Sequence, residues 1–190
     1  MKVRLVDTPA HPCRLAFAQH LFEAGTVGGE GKPAFSTTFI LDTEHPALAE
    51  LAAAEEAVAK EKWGAKADGI LKAIRKADKG VVKDGDNKAN YAGFEGNMFV
   101  STRSEKRPNV YHKDGSQLTE ADGVVYSGCY AHGMIEVWAQ DNQYGKRINA
   151  QVTGVAFSRD GDSFGGGATP ASADDFADLS AADEGAGLLD

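Results

Sequence analysis

The chain has 190 residues, with 20 Lys/Arg against 28 Asp/Glu, a formal net charge of −8 and 42% apolar residues. That is enough apolar material for one core, and the negative balance excludes a simple polycation that coats DNA by charge alone. There is no run of 18 apolar residues, and the opening MKVRLVDTPAHPCRL has no apolar signal segment, so neither a membrane span nor a secretory signal is read.

Residues 2–6 alternate and predict a first strand; residues 11–22 follow as a loop or short helix. Gly25 to Gly31 reads as a glycine-rich connection. AFSTTFIL (34–41) predicts a strand with Phe35, Thr37, Phe39 and Leu41 on one face. Thr43 then reads as a helix N-cap, Pro46 suits the first turn, and Leu48, Leu51 and Val58 form an apolar stripe up to Gly64. A second helix over 65–77 sets Ile70, Leu71 and Ile74 against Lys66, Lys72, Arg75 and Lys76. Residues 81–90 form a charged turn, 98–103 a strand, and 109–115 a strand stub and turn. A hairpin is predicted from 123–130 and 134–139 through Ala131-His132-Gly133, and 148–157 is the last long strand. Five or six short strands, 22 glycines and one helical insertion (43–77) indicate a mainly β chain built as a small barrel.

Charge is unevenly placed. Residues 60–113 hold 13 Lys/Arg against 7 Asp/Glu, whereas 168–190 hold six acids and no base. A proline, small residues and repelling carboxylates (Asp174, Asp175, Asp178, Asp183, Glu184, Asp190) predict a flexible acidic tail after a body spanning 1–167. Cys13 and Cys129 fit no paired spacing and suggest a reduced compartment.

Motifs for other chemistries fail. Gly25–Gly31 lacks GK[ST] and opens no helix. Asp84, Asp86 and Glu95 match calcium-loop positions 1, 3 and 12, but Lys88 and Ala89 occupy positions 5 and 6. The five histidines are isolated, and no serine sits in G-x-S-x-G. No catalytic residue, metal or cofactor is assigned.

One constellation remains. A sequence-indifferent binder of single-stranded nucleic acid needs flat rings for bases and cations for phosphates. Phe99, Tyr111, Tyr126, Tyr130 and Trp138 supply rings; Arg103, Lys106, Arg107, Lys146 and Arg147 supply charge. Each ring also has a packing role open to it, because alternation does not say which face of a barrel is outside.

The segment SGCYAHGMIEVWAQDNQYGKRINAQVTGVAFSRDGDSFGGG, followed by DDFADL, resembles phage single-stranded DNA-binding proteins of the OB-fold type with an acidic C-terminus. GKPAFSTTFIL and GNMFVSTRSEKRP resemble that family's earlier strands. The resemblance implies a five-stranded OB barrel that coats single-stranded DNA in phage replication and recombination, in the cytoplasm of the bacterial host. It also implies a tail, with Phe176 inside it, that recruits polymerase and helicase or primase and occupies the groove when DNA is absent. The insertion is then a basic extension of the groove, a homodimer contact or a barrel plug. Two other readings stay open: a metal-dependent phage nuclease using turn carboxylates, and a DNA-mimicking interaction module.

Overall fold

The computed structural model describes residues 1–27 and 30–165; the acidic segment 168–190 lies outside the described residues. The strands are β1 (Lys2–Leu5), β2 (Cys13–Ala16), β3 (Gly25–Val27), β4 (Glu30–Leu41), β5 (Val82–Asp84), β6 (Met98–Ser104), β7 (Asn109–Tyr111), β8 (Tyr130–Asn142) and β9 (Gly145–Arg159). The helices α1 (Ala47–Trp63) and α2 (Ala67–Lys76) sit between β4 and β5. The sheet runs β5-β6-β4-β2-β8-β9-β7, with β1 on β8 and β3 on β4. All pairs are antiparallel except β7 with β9. Among the described residues the hydrogen-bonded path is not closed and holds nine strands, more than the five expected. β6 nevertheless packs against β9, and the sheet wraps one core.

Alternation sends Leu15, Phe39, Val100, Ile135, Val137 and Val152 inward. The same cluster takes in Leu51 and Val58 of α1 and Leu71 and Ile74 of α2. The helical insertion therefore plugs the sheet: its apolar stripes continue the strand core. The predicted helices are present, but Thr43 does not cap α1. The helix begins at Ala47, whose N–H donates to His45 Nδ1 (3.1 Å), while His45 Nε2 donates to the Val6 carbonyl (3.1 Å). Burial lowers the His45 pKa and favours this neutral ring.

The predicted hairpin through 131–133 is not a turn. β8 runs straight through it, and the reversal falls between Asn142 and Gly145, which has φ 98°. Gly133 is a packing position: a Cβ there would lie 2.5 Å from Phe39 Cε1. The resulting β8–β9 hairpin spans 130–159 and forms the longest wall of the molecule.

Cys13 and Cys129 are free and buried. Desolvation pushes the Cys129 thiol up to about 11 and raises Cys13 further, so both stay protonated. At the mouth of β2, the buried Asp7 carboxylate accepts from Cys13 N (2.9 Å), Ser158 Oγ (2.8 Å) and Arg159 Nε (3.0 Å), pinning β9 to the start of β2.

Gly133→Val inserts methyl groups against a ring at the centre of the core. It should lower stability by about 1–3 kcal/mol, seen as a lower urea midpoint at unchanged slope.

Candidate nucleic-acid interface

The outer faces of β4, β6, β8 and β9 form a cleft of about 880 Å³. Register explains its floor. Ser36 lies opposite Arg103 and Thr38 opposite Ser101 across β4–β6; Trp138 lies opposite Asn149 across β8–β9. These residues share the outward phase of strands whose inward phase is apolar. Among the described residues five cations line the cleft (Lys79, Lys83, Lys88, Arg103 and Arg147) against one acid, Glu105. Glu105 is itself engaged by Lys32 at 2.8 Å, whose hydrogen bond and charge hold its carboxyl below the usual range. Trp138 is 43% exposed in the same cleft.

Among the ten predicted contact residues, the structure brings Arg103, Arg147 and Trp138 together here. The others lie elsewhere. Phe99 has the outward phase of Ser101 and Arg103 but is only 2% exposed. The loop over 85–97 folds across that end of the sheet, and Phe94 meets Phe99 edge-on at 5.2 Å. No ring face is left for a base, so the expected platform is core. Lys146 is drawn to Asp141 (2.5 Å), which also accepts from Trp63 Nε1 (2.8 Å). That latch ties the end of α1 to the β8–β9 hairpin. Lys106 and Arg107 are exposed in the loop after β6, with Arg107 6.0 Å from the Phe22 ring.

Tyr111 sits on β7 beside Ala156, away from the cleft. The Tyr126 hydroxyl donates to Asp160 (3.0 Å) and accepts from Gly161 N (3.1 Å). Tyr130 lies 3.6 Å below the Arg159 guanidinium and 5.1 Å from that of Arg14. These two tyrosines brace the segment that leaves β9. Asp114, Asp122, Asp141, Asp160 and Asp162 do not converge. Among the described residues no three His, Cys, Asp or Glu side chains are placed to share a metal ion.

Sequence reasoning missed Lys79, Lys83, Lys88 and Phe17. The lysines were visible as part of the positive middle segment, but nothing placed them on one face. The position of Lys79 depends on Glu55, a buried carboxylate in α1. It accepts from Val81 N (2.6 Å) and Arg75 Nε (2.9 Å), and a Cβ on Gly80 would lie 2.8 Å from its Oε1. Next to it, Ile148 N of β9 donates to the Lys79 carbonyl (3.2 Å). The helical plug thus hands Lys79 to the cleft.

Geometry defines a β-body with one cationic, ring-bearing face suited to a polyanion. A profile of the family described as Enterobacter phage Enc34, ssDNA-binding protein, matches residues 6–186, and the chain belongs to that family. It is 38% identical over 187 residues to Putative protein p50 of Acyrthosiphon pisum secondary endosymbiont phage 1, covering 97% of each sequence. Its structure is similar to that of the single-stranded DNA-binding protein from bacteriophage Enc34 in complex with ssDNA. The TM-score is 0.65 at 25% identity, over 82% of this chain and 89% of that one. The fold is also shared with gp2.5, a single-stranded DNA-binding protein encoded by bacteriophage T7, with TM-score 0.54, 12% identity and 94% of each chain covered.

Glu55→Ala should leave the buried Val81 N–H unpaired and cost about 1–3 kcal/mol in a denaturant melt. The Lys79–Val81 amides should lose hydrogen-exchange protection ahead of the strands.

Proposed function

We propose that the chain binds single-stranded DNA with little sequence preference, as a phage protein of DNA replication and recombination. One observation carries the reading: the cleft gathers five cations and the exposed Trp138 on one sheet face. A flexible strand with bare bases fits that combination, since rings stack on any base and cations follow the phosphates. Family membership supports binding rather than catalysis. Within this reading the body over 1–167 is an OB barrel built on β2, β4, β6, β8 and β9, with α1 as its plug. Work in the host cytoplasm and self-association as a dimer complete it.

The tail over 168–190 is proposed as an electrostatic stand-in for DNA and as the contact for polymerase and helicase or primase. Asp174, Asp175, Asp178, Asp183, Glu184 and Asp190 carry its charge, and Phe176 gives it an apolar anchor. The support is where the described chain ends. Phe164 packs on the outer cluster of Ala16, Ile40, Phe94 and Phe99, with the Arg14 guanidinium 4.4 Å from its ring. Phe17 of that cluster lines the cleft. A segment leaving from this point starts beside the cations, which raises its effective concentration there.

Anisotropy titration of labelled oligo-dT against duplex of equal length, at two salt concentrations, tests the binding. Trp138→Ala should weaken single-strand binding by about 1–3 kcal/mol. Arg103→Ala with Arg147→Ala should reduce the slope of log K against log salt by about 1.4, near 0.7 for each cation. Equal affinity for duplex together with an inert Trp138→Ala would overturn the reading.

Removing 168–190 should tighten oligo-dT binding at low salt, with the gain shrinking as salt screens the tail. A truncated protein that binds no better at low salt ends the stand-in role and leaves the cleft untouched.

A further inference from the structure

Phe17 has a left-handed backbone, φ 58° and ψ 38°, which is strained for any residue with a Cβ and more so for a bulky ring. Its surroundings hold it there. Thr37 Oγ1 donates to the Ala16 carbonyl (3.0 Å), Ala18 N donates to Ser127 Oγ (2.9 Å), and His20 N donates to the Phe17 carbonyl (3.3 Å). The strain holds a half-exposed ring at the rim of the cleft, just past the end of β2, a strand that pairs with β4 on one side and with β8 at Tyr130 on the other.

A second ring meets it. Tyr91 is 47% exposed, with its centroid 5.5 Å from that of Phe17 and the planes at 76°. Tyr91 comes from the loop whose acids resemble calcium ligands in the sequence, and those acids have another task. Asp84 Oδ1 accepts from Asp86 N (2.9 Å), and Asp86 Oδ1 accepts from Gly96 N (2.8 Å). Asn97 Nδ2 donates to the Gly93 carbonyl (3.0 Å). Gly85 is packed so closely that a Cβ would fall 2.0 Å from the Phe94 carbonyl oxygen. The loop is closed on itself and presents Tyr91 from a fixed base.

The third member is Lys88. Its Nζ lies 6.0 Å from the Phe17 centroid and 5.0 Å from that of Phe99, and it lines the cleft. It takes part in no salt bridge among the described residues. Burial, and then the neighbouring Lys83, lower its pKa, as expected of an ammonium awaiting an anion. A half-exposed ring, an exposed ring set edge-on to it and a cation with no salt bridge among the described residues are the parts of a nucleotide site.

We propose that Phe17 and Tyr91 form a second base-stacking station on the rim of the cleft across from Trp138, with Lys88 meeting the adjoining phosphate. The station rests on the single-stranded DNA reading above. It gives a bound strand two stacking points in the one cleft that both Phe17 and Trp138 line.

The test uses the full chain, labelled oligo-dT, and the same oligonucleotide with abasic linkers in place of the bases. Tyr91→Ala should weaken oligo-dT binding about tenfold and leave abasic binding unchanged. Lys88→Met keeps the stem over the rings and should reduce the salt slope by about 0.7. Phe17→Leu should weaken oligo-dT in the same base-dependent way. Tyr91 is exposed, so its variant should melt with the wild type even if Phe17→Leu does not. If Tyr91→Ala binds oligo-dT normally while Trp138→Ala is weakened, the station is wrong and the wider reading stands. If Tyr91→Ala loses abasic and oligo-dT binding equally, the ring serves only the loop and the station is again wrong. An inert Trp138→Ala with no preference for single strands would bring down the wider reading itself.

Discussion

Five like charges on one face of a small β-body repel one another, and the fold has to hold them without cancelling them. It does so largely with neutral acceptors. The Arg103 guanidinium donates to the Lys32 carbonyl (2.5 Å), and Lys88 lies over aromatic rings. Lys83 reaches an acid only loosely, 3.9 Å from Asp78. An acid placed in the cleft would have stabilised the free protein and weakened its grip on phosphate. The one acid among the described residues of the cleft, Glu105, is drawn off by Lys32. What remains is an unbalanced field pointing outward, which a polyanion relieves.

That field depends on a scaffold that is not itself on the cleft. The apolar stripes of α1 and α2 complete the core beneath the sheet, and Glu55 links the plug to the turn at Gly80. The Trp63–Asp141–Lys146 latch fixes the far end of α1 to the hairpin that carries Trp138 and Arg147. The insertion is therefore both plug and positioning element. Lys79, just beyond the insertion, reaches the cleft, while no cation of residues 43–77 lines it.

Strand phase was legible in the sequence, and so were the two helices, because apolar spacing alone decides them. Trp138, Arg103 and Arg147 were chosen for residue type, and it is the structure that places all three on one cleft. Phe99 was not, although its phase was read correctly. Phase says which side a residue takes, and here the loop over 85–97, distant in sequence from the rest of the sheet, covers that side with Phe94. Gly133 failed for a related reason. A glycine flanked by His132 and Met134 signals a turn locally, whereas the absent side chain makes room for Phe39, which is remote in sequence. The strands β3 and β5 have three residues each and no period long enough to recognise, whereas β7, equally short, falls where a strand stub was expected. Lys146 and Lys106 have the right chemistry at the wrong address, since charge type carries no information on which neighbour will claim it.

The overall charge of −8 and a cationic cleft are compatible because of distance. At physiological salt, charges more than about 8 Å apart are largely screened, so a phosphate in the cleft answers mainly to the residues that line it. Salt then acts in two directions. It screens repulsion between the acidic remainder of the chain and an approaching strand, which favours encounter. It also reduces the gain from counterion release when phosphates reach Arg103, Arg147 and the lysines, which disfavours the bound state. The second effect is the larger one, because it scales with each close contact while the first is spread over long distances. In the proposed reading, net charge governs how the strand arrives, and the cleft governs how long it stays.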